Sequence, residues 1–105
     1  ELAFTDLIAS CDAVLGKCGY GTVTECVVNR TPLLYITRPD WPEEQTLSNW
    51  LNAHHAGVEV DPPRLFSGEF DDLVRRAESL QVKTCSADGA AQAAALLEQV
   101  LRGAA

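Results

Sequence analysis

The chain has 105 residues, enough for one domain, and 47% of them are hydrophobic, as in globular proteins with a real core. A formal net charge of −7 argues against nucleic acid or an anionic membrane as the main partner. No apolar run approaches the roughly 18 residues of a membrane span, and the N-terminus has no signal-peptide pattern, so we expect a cytoplasmic protein. Because the chain begins with Glu1 and contains no Met, we expect it to be a piece of a longer protein.

The first half of the chain predicts alternating helices and strands. Residues 2–10 have apolar side chains at helical spacing, which predicts a helix. Residues 12–17, around the apolar run at residues 13–15, predict a short buried strand. A glycine turn follows, and a second helix is predicted from Val23 to about residue 29. Residues 33–36 are continuously apolar, which predicts a strand covered on both faces.

The second half continues the alternation. Helical spacing over residues 47–54 predicts a third helix, with Gly57 as its C-terminal cap. Residues 58–60 predict a third strand closed by two prolines, and residues 70–77 predict an amphipathic helix. Residues 88–102 predict a last, alanine-rich helix. Its side chains expected to face inward are Leu96, Leu97, Val100 and Leu101.

This order of elements predicts an α/β fold with three parallel strands and helices on both faces. Strands that alternate with helix-length connections pair in parallel, because the crossover returns the chain to the same end of the sheet. Ligands of such sheets bind beyond the carboxyl ends of the strands. That edge is where the chemistry of this chain should lie.

The glycine turn at residues 19–22 (GYGT) is the most informative feature of the sequence. It joins a predicted strand to a predicted helix, so the first N–H groups of the helix point at one place and bind anions, phosphate above all. The two glycines allow positive φ and a close approach of a ligand. A tight turn that binds nothing has the same sequence, and a lone short glycine turn is weak evidence.

Two further features flank that turn. Thr22 and Glu25 have the spacing of a capping box, which needs no ligand. An acidic segment at residues 40–49 follows the second strand, and it is either a solvated loop or the other wall of one crevice shared with the glycine turn. The two tryptophans, Trp41 and Trp50, are expected to be packing residues rather than sugar platforms.

The cysteines and histidines do not predict a metal site. The four cysteines form no Cys-x-x-Cys pair, and the two histidines are adjacent, so their side chains diverge on a helix. We expect reduced thiols, as in intracellular proteins. The cysteines are Cys11, Cys18, Cys26 and Cys85.

Three segments together carry a family resemblance: residues 15–25 (LGKCGYGTVTE), residues 38–44 (RPDWPEE) and residues 57–60 (GVEV). The pattern resembles the carboxy-terminal half-domain of nucleotide-sugar glycosyltransferases with two Rossmann-like domains, the GT-B, family 28-like type. Most closely it resembles the glycosyltransferase-like region of arabinokinases and their bacterial relatives. The resemblance implies that residues 1–105 are the second half of a Rossmann-like, donor-binding domain.

The resemblance also implies a set of donor-binding residues. The segment implied to face the diphosphate consists of Gly19, Tyr20, Gly21 and Thr22. Glu25 would bind ribose hydroxyls, Glu44 and Gln45 would meet the donor sugar, and Asn49 would lie close by. The implied ligand is a nucleotide sugar of the UDP type, with no cofactor and no metal. No catalytic residue is assigned, because in such transferases the base comes from the other domain.

Two functions remain open at this stage. The chain is either the donor-binding fragment of a glycosyltransferase, inactive alone, or a non-catalytic module that senses a nucleotide sugar or sugar phosphate beside a sugar kinase. A third reading is an α/β piece whose glycine turn binds nothing. The first strand is expected to form an open sheet edge, and we expect a homodimer through it.

Overall fold

The computed structural model describes residues 1–103 and confirms the α/β class, with a three-stranded parallel sheet flanked by helices. The elements in chain order are α1 Phe4–Ser10, β1 Val14–Lys17, α2 Tyr20–Val28, β2 Leu33–Ile36, α3 Glu44–Ala53, β3 Gly57–Glu59, α4 Pro62–Ser67, α5 Asp71–Glu78 and α6 Gly89–Gly103. Such a sheet is that of a Rossmann-like half-domain. No helix in the described part of the chain is both long and apolar enough to span a membrane.

The sheet has the order β1-β2-β3, so β2 lies in the centre. β1 pairs with β2 from Val14 opposite Leu33 to Lys17 opposite Ile36. β2 pairs with β3 from Leu33 opposite Gly57. The continuous apolar run of β2 is buried on both faces, as its sequence predicts, because helices cover each side.

Two apolar clusters hold helices against the two faces. On one face, α1, α2 and α3 contribute Ile8, Val23 and Leu51 to a cluster around Leu33. On the other face, α5 contributes Leu73 and Ala77 to a cluster around Leu34 and Val58. These side chains are at most 8% exposed, and each large one contributes about 1.5–3 kcal/mol when fully buried.

The start of α2 differs from the prediction. The helix begins at Tyr20 rather than Val23, and its N-cap is Gly19, so the predicted capping box of Thr22 and Glu25 is wrong. Gly19 has a φ of −112°, and Gly21 is not among the residues with positive φ, so the turn does not need glycine for its backbone angles. Directly before the helix, the Gly19 N–H bonds back to the Lys17 carbonyl over 3.1 Å.

The predicted cap at Gly57 is also wrong. The residue in left-handed conformation after α3 is His55, with a φ of 53°, whereas Gly57 is the first residue of β3. A Cβ on Gly57 would lie 2.9 Å from Leu51 Cδ2 and 2.7 Å from Asn52 Oδ1, so a side chain here would force these two side chains to shift. Glycine is favoured there by close packing of β3 on α3 rather than by a turn.

The end of the chain holds two further differences. The two prolines after β3 were expected to close the strand, and in the structure they form the start of the short helix α4. The first positions of a helix suit the fixed φ of proline. The inward orientation predicted for the apolar face of α6 is wrong, since Leu96, Leu97, Val100 and Leu101 are 62–72% exposed. The segment before α6 crosses to the end of α2, where Thr84 Oγ1 donates to the Val28 carbonyl. The helix begins beyond the sheet, and the molecule is 61 Å long.

Candidate functional site

The start of α2 and the start of α3 lie together at the carboxyl ends of β1 and β2. Arg38, just after β2, donates from Nη2 to the carbonyl of Cys18, just after β1, over 2.8 Å. The nearby Glu43 carboxylate raises the pKa of the Tyr20 phenol. The glycine turn and the acidic segment are therefore neighbours at the edge where open parallel sheets bind ligands, although no residue of the turn lines the cavity at the acidic segment.

The start of α2 has free hydrogen-bond donors. No side chain caps this helix, because its N-cap Gly19 has none to offer. The first helical bond within α2 is from the Val23 N–H to the Gly19 carbonyl, 2.9 Å long, so the N–H groups of the preceding turn lie before the ladder. A Cβ on Gly19 or Gly21 would meet no atom within 4 Å, so the space above them is open. An anion could therefore approach the positive end of the helix closely.

Glu44, the first residue of α3, is a buried carboxylate without a hydrogen-bond donor. It is 8% exposed, and neither Oε1 nor Oε2 has a hydrogen-bond partner among the described residues. Arg38 Nε lies 3.7 Å from Oε2, which is an ion-pair distance but too long for a hydrogen bond. The Nε of Arg38 is itself buried without a hydrogen-bond partner, and this ion pair offsets only part of the cost of burying the carboxylate. The carboxylate can be satisfied by a ligand that brings N–H or O–H groups.

A cavity of about 390 Å³ has Glu44 in its lining, although both carboxylate oxygens are buried. The loop after β2 and the first turns of α3 line it, with polar groups from Thr37, Glu44, Gln45 and Ser48. Gln45 Nε2 donates to Asn49 Oδ1 over 2.7 Å, so these two predicted site residues form one amide pair on the surface of α3. Carboxylate, amide and hydroxyl groups around one cavity suit a ligand rich in hydroxyls.

Cys18 and Arg38 belong to this site although sequence reasoning did not select them. Burial, followed by the nearby Glu44 carboxylate, raises the pKa of Cys18 to about 11. Its thiol is therefore protonated at neutral pH and is no nucleophile. The Arg38 guanidinium stacks over the Trp41 ring, 4.7 Å from its centroid. The available signal was a lone arginine directly after a buried strand and before acidic residues.

Glu25 lies away from the helix start. It is on the second turn of α2, and its Oε2 accepts from Asn29 Nδ2 over 3.1 Å, towards the other end of the helix. Trp50 packs against the core and against His54, with ring centroids 4.2 Å apart, as predicted for a packing residue. Trp41 is 43% exposed and supports Arg38 instead.

Other parts of the molecule offer less chemistry. A larger cavity, about 730 Å³, lies at the β3 edge between Tyr35, Glu59 and Arg76, and neither the glycine turn nor Glu44 lines it. Among residues 1–103, no group of three or more His, Cys, Asp or Glu side chains could hold a metal ion. The four cysteines are unpaired in the structure.

Comparison with known proteins gives one relative. Over 76 residues the chain is 38% identical to L-arabinokinase of Arabidopsis thaliana. The match covers 72% of this chain but 7% of that protein, so the chain corresponds to a small segment of a much longer relative. No protein-family model matches the sequence, and no solved structure matches it at a significant level. The similarity supports the arabinokinase part of the resemblance, whereas the resemblance to glycosyltransferases stays a prediction.

Proposed function

We propose that this chain binds a nucleotide sugar, of the UDP type, as the donor-binding part of a glycosyltransferase-like protein. The observation that carries the proposal is the pairing of two unsatisfied groups at one sheet edge. One is the uncapped start of α2, and the other is the buried Glu44 carboxylate without a hydrogen-bond donor. A molecule with a phosphate at one end and hydroxyls at the other complements both.

The diphosphate would lie at the start of α2. The N–H groups of Tyr20, Gly21 and Thr22 precede the helical ladder, and the open space above Gly19 and Gly21 admits an anion. The Arg38 guanidinium, held nearby by the Cys18 carbonyl, adds positive charge to the same edge in a chain whose net charge is −7. Local donors rather than overall charge would attract the anion.

The sugar would lie against Glu44. Its two carboxylate oxygens can accept hydrogen bonds from adjacent sugar hydroxyls, and a hydrogen bond to a charged group contributes about 1.5–3 kcal/mol. Gln45 and Asn49 would be next to the sugar on the same helix. We place the ribose near Glu25 only on the strength of the family resemblance, since its carboxylate is bonded to Asn29.

The second candidate is a sensing module beside a sugar kinase. The observation in its favour is the similarity to an L-arabinokinase, of which this chain matches a small segment. Both candidates use the same binding site, and in neither does this chain supply a catalytic base. Sugar transfer or donor hydrolysis by the parent protein would favour the transferase, whereas a change of kinase activity on donor binding would favour the sensor. We expect the chain alone to be inactive.

Calorimetric titration with UDP, UDP-hexoses and UDP-pentoses tests the binding site. We expect Glu44→Gln to weaken binding of the UDP-sugar at least about tenfold, through loss of charge-assisted bonds to hydroxyls, and to leave binding of UDP unchanged. The stability of Glu44→Gln should fall, because the variant leaves the Arg38 guanidinium without its ion-pair partner. The control is Glu59→Gln, which replaces an exposed carboxylate on β3 and should change neither UDP-sugar binding nor stability.

Two results would contradict the proposal. One is the absence of binding of any UDP-sugar or UDP at millimolar concentration. The other is an equal loss of UDP and UDP-sugar affinity in Glu44→Gln, which would separate this carboxylate from sugar recognition.

A further inference from the structure

The side chains of Arg38 and Trp41 lie next to the Glu44 carboxylate. The Trp41 N–H bonds to the Arg38 carbonyl over 2.9 Å, and this tight turn brings the Trp41 ring over the Arg38 guanidinium, 4.7 Å from ring centroid to Cζ. The guanidinium in turn lies beside the carboxylate, with 3.7 Å between Arg38 Nε and Glu44 Oε2. All three residues line the cavity of about 390 Å³. We call the Trp41 ring and the Arg38 guanidinium the cover.

The ion pair at the cover is incompletely bonded. Within residues 1–103, the buried side-chain polar atoms without a hydrogen-bond partner are Arg38 Nε and the two carboxylate oxygens of Glu44. A guanidinium and a carboxylate in full contact form two parallel hydrogen bonds of about 2.7–2.9 Å. Here Arg38 Nη2 bonds to the Cys18 carbonyl instead, over 2.8 Å. The charges of the pair are balanced, whereas one donor and two acceptors stay unbonded.

Two neighbouring hydroxyl groups would bond all three of these atoms. A hydroxyl donates one hydrogen bond and also accepts. Two hydroxyls can therefore donate to Oε1 and Oε2 of Glu44 while one of them accepts from Arg38 Nε. An ionised phosphate cannot, because it has acceptors for the guanidinium but repels the carboxylate. The pair therefore suits the sugar end of a ligand rather than its phosphate end.

The three atoms are closed off in the ligand-free chain. All of them are buried, so a ligand has to displace a neighbouring group before it can bond to them. The cover is in contact with solvent, since Trp41 is 43% exposed and the Arg38 side chain 33%. A change of rotamer in exposed side chains is fast and needs no movement of the sheet or of α3. The cover is therefore the part of the site that can move.

We infer that the cover opens when the sugar of the donor binds, and that two sugar hydroxyls insert between Arg38 and Glu44. Arg38 is then a sugar contact through Nε, and Trp41 controls access to the carboxylate. The inference rests on the proposed function, because it requires a sugar at Glu44. It adds that the empty site is closed, so that opening the cover opposes binding of a UDP-sugar but not of UDP.

Carbodiimide labelling of carboxylates, read by mass spectrometry, measures the access to Glu44 in the ligand-free chain. We expect little labelling of Glu44 in the wild type and several-fold more in Trp41→Ala, which removes the ring of the cover. Glu59, an exposed carboxylate on β3, is the internal reference and should be labelled equally in both. The matched control is Phe66→Ala, which removes an 86% exposed ring on α4 and should leave the labelling of Glu44 low.

Tryptophan fluorescence and calorimetry test the opening itself. The fluorescence should change when a UDP-sugar binds and stay constant with UDP, because only the sugar displaces Trp41 from the guanidinium. The change should vanish in Trp41→Phe at a saturating ligand concentration and persist in Trp50→Phe. Trp41→Ala should bind the UDP-sugar several-fold more tightly, since opening no longer opposes binding. A ring that stacks on the sugar, or that only supports the loop, predicts weaker binding instead.

These measurements separate the inference from the proposed function. Labelling of Glu44 that equals that of Glu59 in the wild type, or that Trp41→Ala leaves unchanged, would overturn the inference. So would UDP-sugar binding without a fluorescence change, or weaker binding by Trp41→Ala, and the donor site would stand in each of these cases. A chain that binds neither UDP nor a UDP-sugar would refute both. Circular dichroism checks the folding of the variants, and the wild-type labelling and fluorescence decide the matter without them.

Discussion

Replacing Gly21 with alanine separates a structural from a functional use of glycine at the start of α2. Gly21 is a helical residue, and a Cβ there would meet no atom within 4 Å in the ligand-free chain. Nothing in the fold therefore opposes the substitution. The methyl group would instead hinder binding of a diphosphate, because it occupies the space through which an anion reaches the helix N–H groups.

The two expected effects have opposite signs. Alanine is about 1 kcal/mol better than glycine in a helix interior, and about half of that applies in the first turn. For a chain of this size, about 0.5 kcal/mol corresponds to a rise in Tm of about 2–4 °C. Binding of a nucleotide diphosphate should weaken about tenfold or more, which equals about 1.4 kcal/mol. The larger Gly21→Val should weaken binding at least as much.

Differential scanning calorimetry and titration of the same preparations measure both quantities. Gly89→Ala is the matched control, since it also adds a methyl group in open space at the start of a helix, α6, away from the site. It should leave binding unchanged. Gly21→Ala with unaltered affinity for UDP would refute the placement of the diphosphate at α2, and a fall in its stability would refute the reading of Gly21 as sterically free.

Three further predictions concern the helix, the sheet and the thiols. Glu25→Gln should leave Tm unchanged, because the glutamine oxygen can still accept the hydrogen bond from Asn29. If Glu25 binds ribose, the variant should bind the nucleotide more weakly, and a titration that shows unchanged nucleotide affinity would exclude that role. Gly57→Ala should lower the free energy of unfolding, measured in urea, by about 1–3 kcal/mol, because its methyl group clashes with α3. Gly16→Ala is the control and should lower it less, since the nearest atom to its methyl group is 4.0 Å away. Equal losses in the two variants would contradict the packing argument. Burial raises the pKa of Cys18 and of Cys26 from an ordinary 9.0 to about 11, so the free energy of unfolding should be full below pH 9 and fall as the pH rises through 11, since the unfolded chain loses these protons first. A stability that does not change over that range would contradict this prediction. The four cysteines should also titrate as free thiols in the denatured, unreduced chain, and fewer than four would contradict the absence of disulfides.

The sequence predicts the sheet better than it predicts the ends of helices. The apolar run of β2 and the alternation of elements suffice for a parallel sheet, because burial on both faces needs a run of that kind. The start of α2 and the role of Gly57 depend on contacts between segments distant in the chain. The Arg38 bond to the Cys18 carbonyl and the packing of β3 on Leu51 are such contacts, and no local pattern reveals them.

In the candidate site too, some features could be predicted from the sequence and others depend on contacts between distant segments. Strand order predicts that the glycine turn and the acidic segment lie at the same sheet edge, and Arg38, just before the acidic segment, bonds to Cys18, just before the turn. The burial of Glu44 and its lack of a donor could not be predicted, since a run of acidic residues in a loop is ordinarily solvated. The apolar face of α6 was expected to be buried and is exposed, because periodicity in the sequence identifies an amphipathic helix but not the surface that the helix faces.

The isolation of α6 has a consequence for how the molecule opens. Every residue of this 15-residue helix is exposed, so its stability comes from its own hydrogen bonds and from its alanine-rich composition. A helix of that length without tertiary packing is marginal in water. Its amide protons should therefore exchange with solvent far faster than those of β2, in a local opening that leaves the sheet intact. The chain then consists of two cooperative units, and probes of helix content and of core packing should report different melting curves.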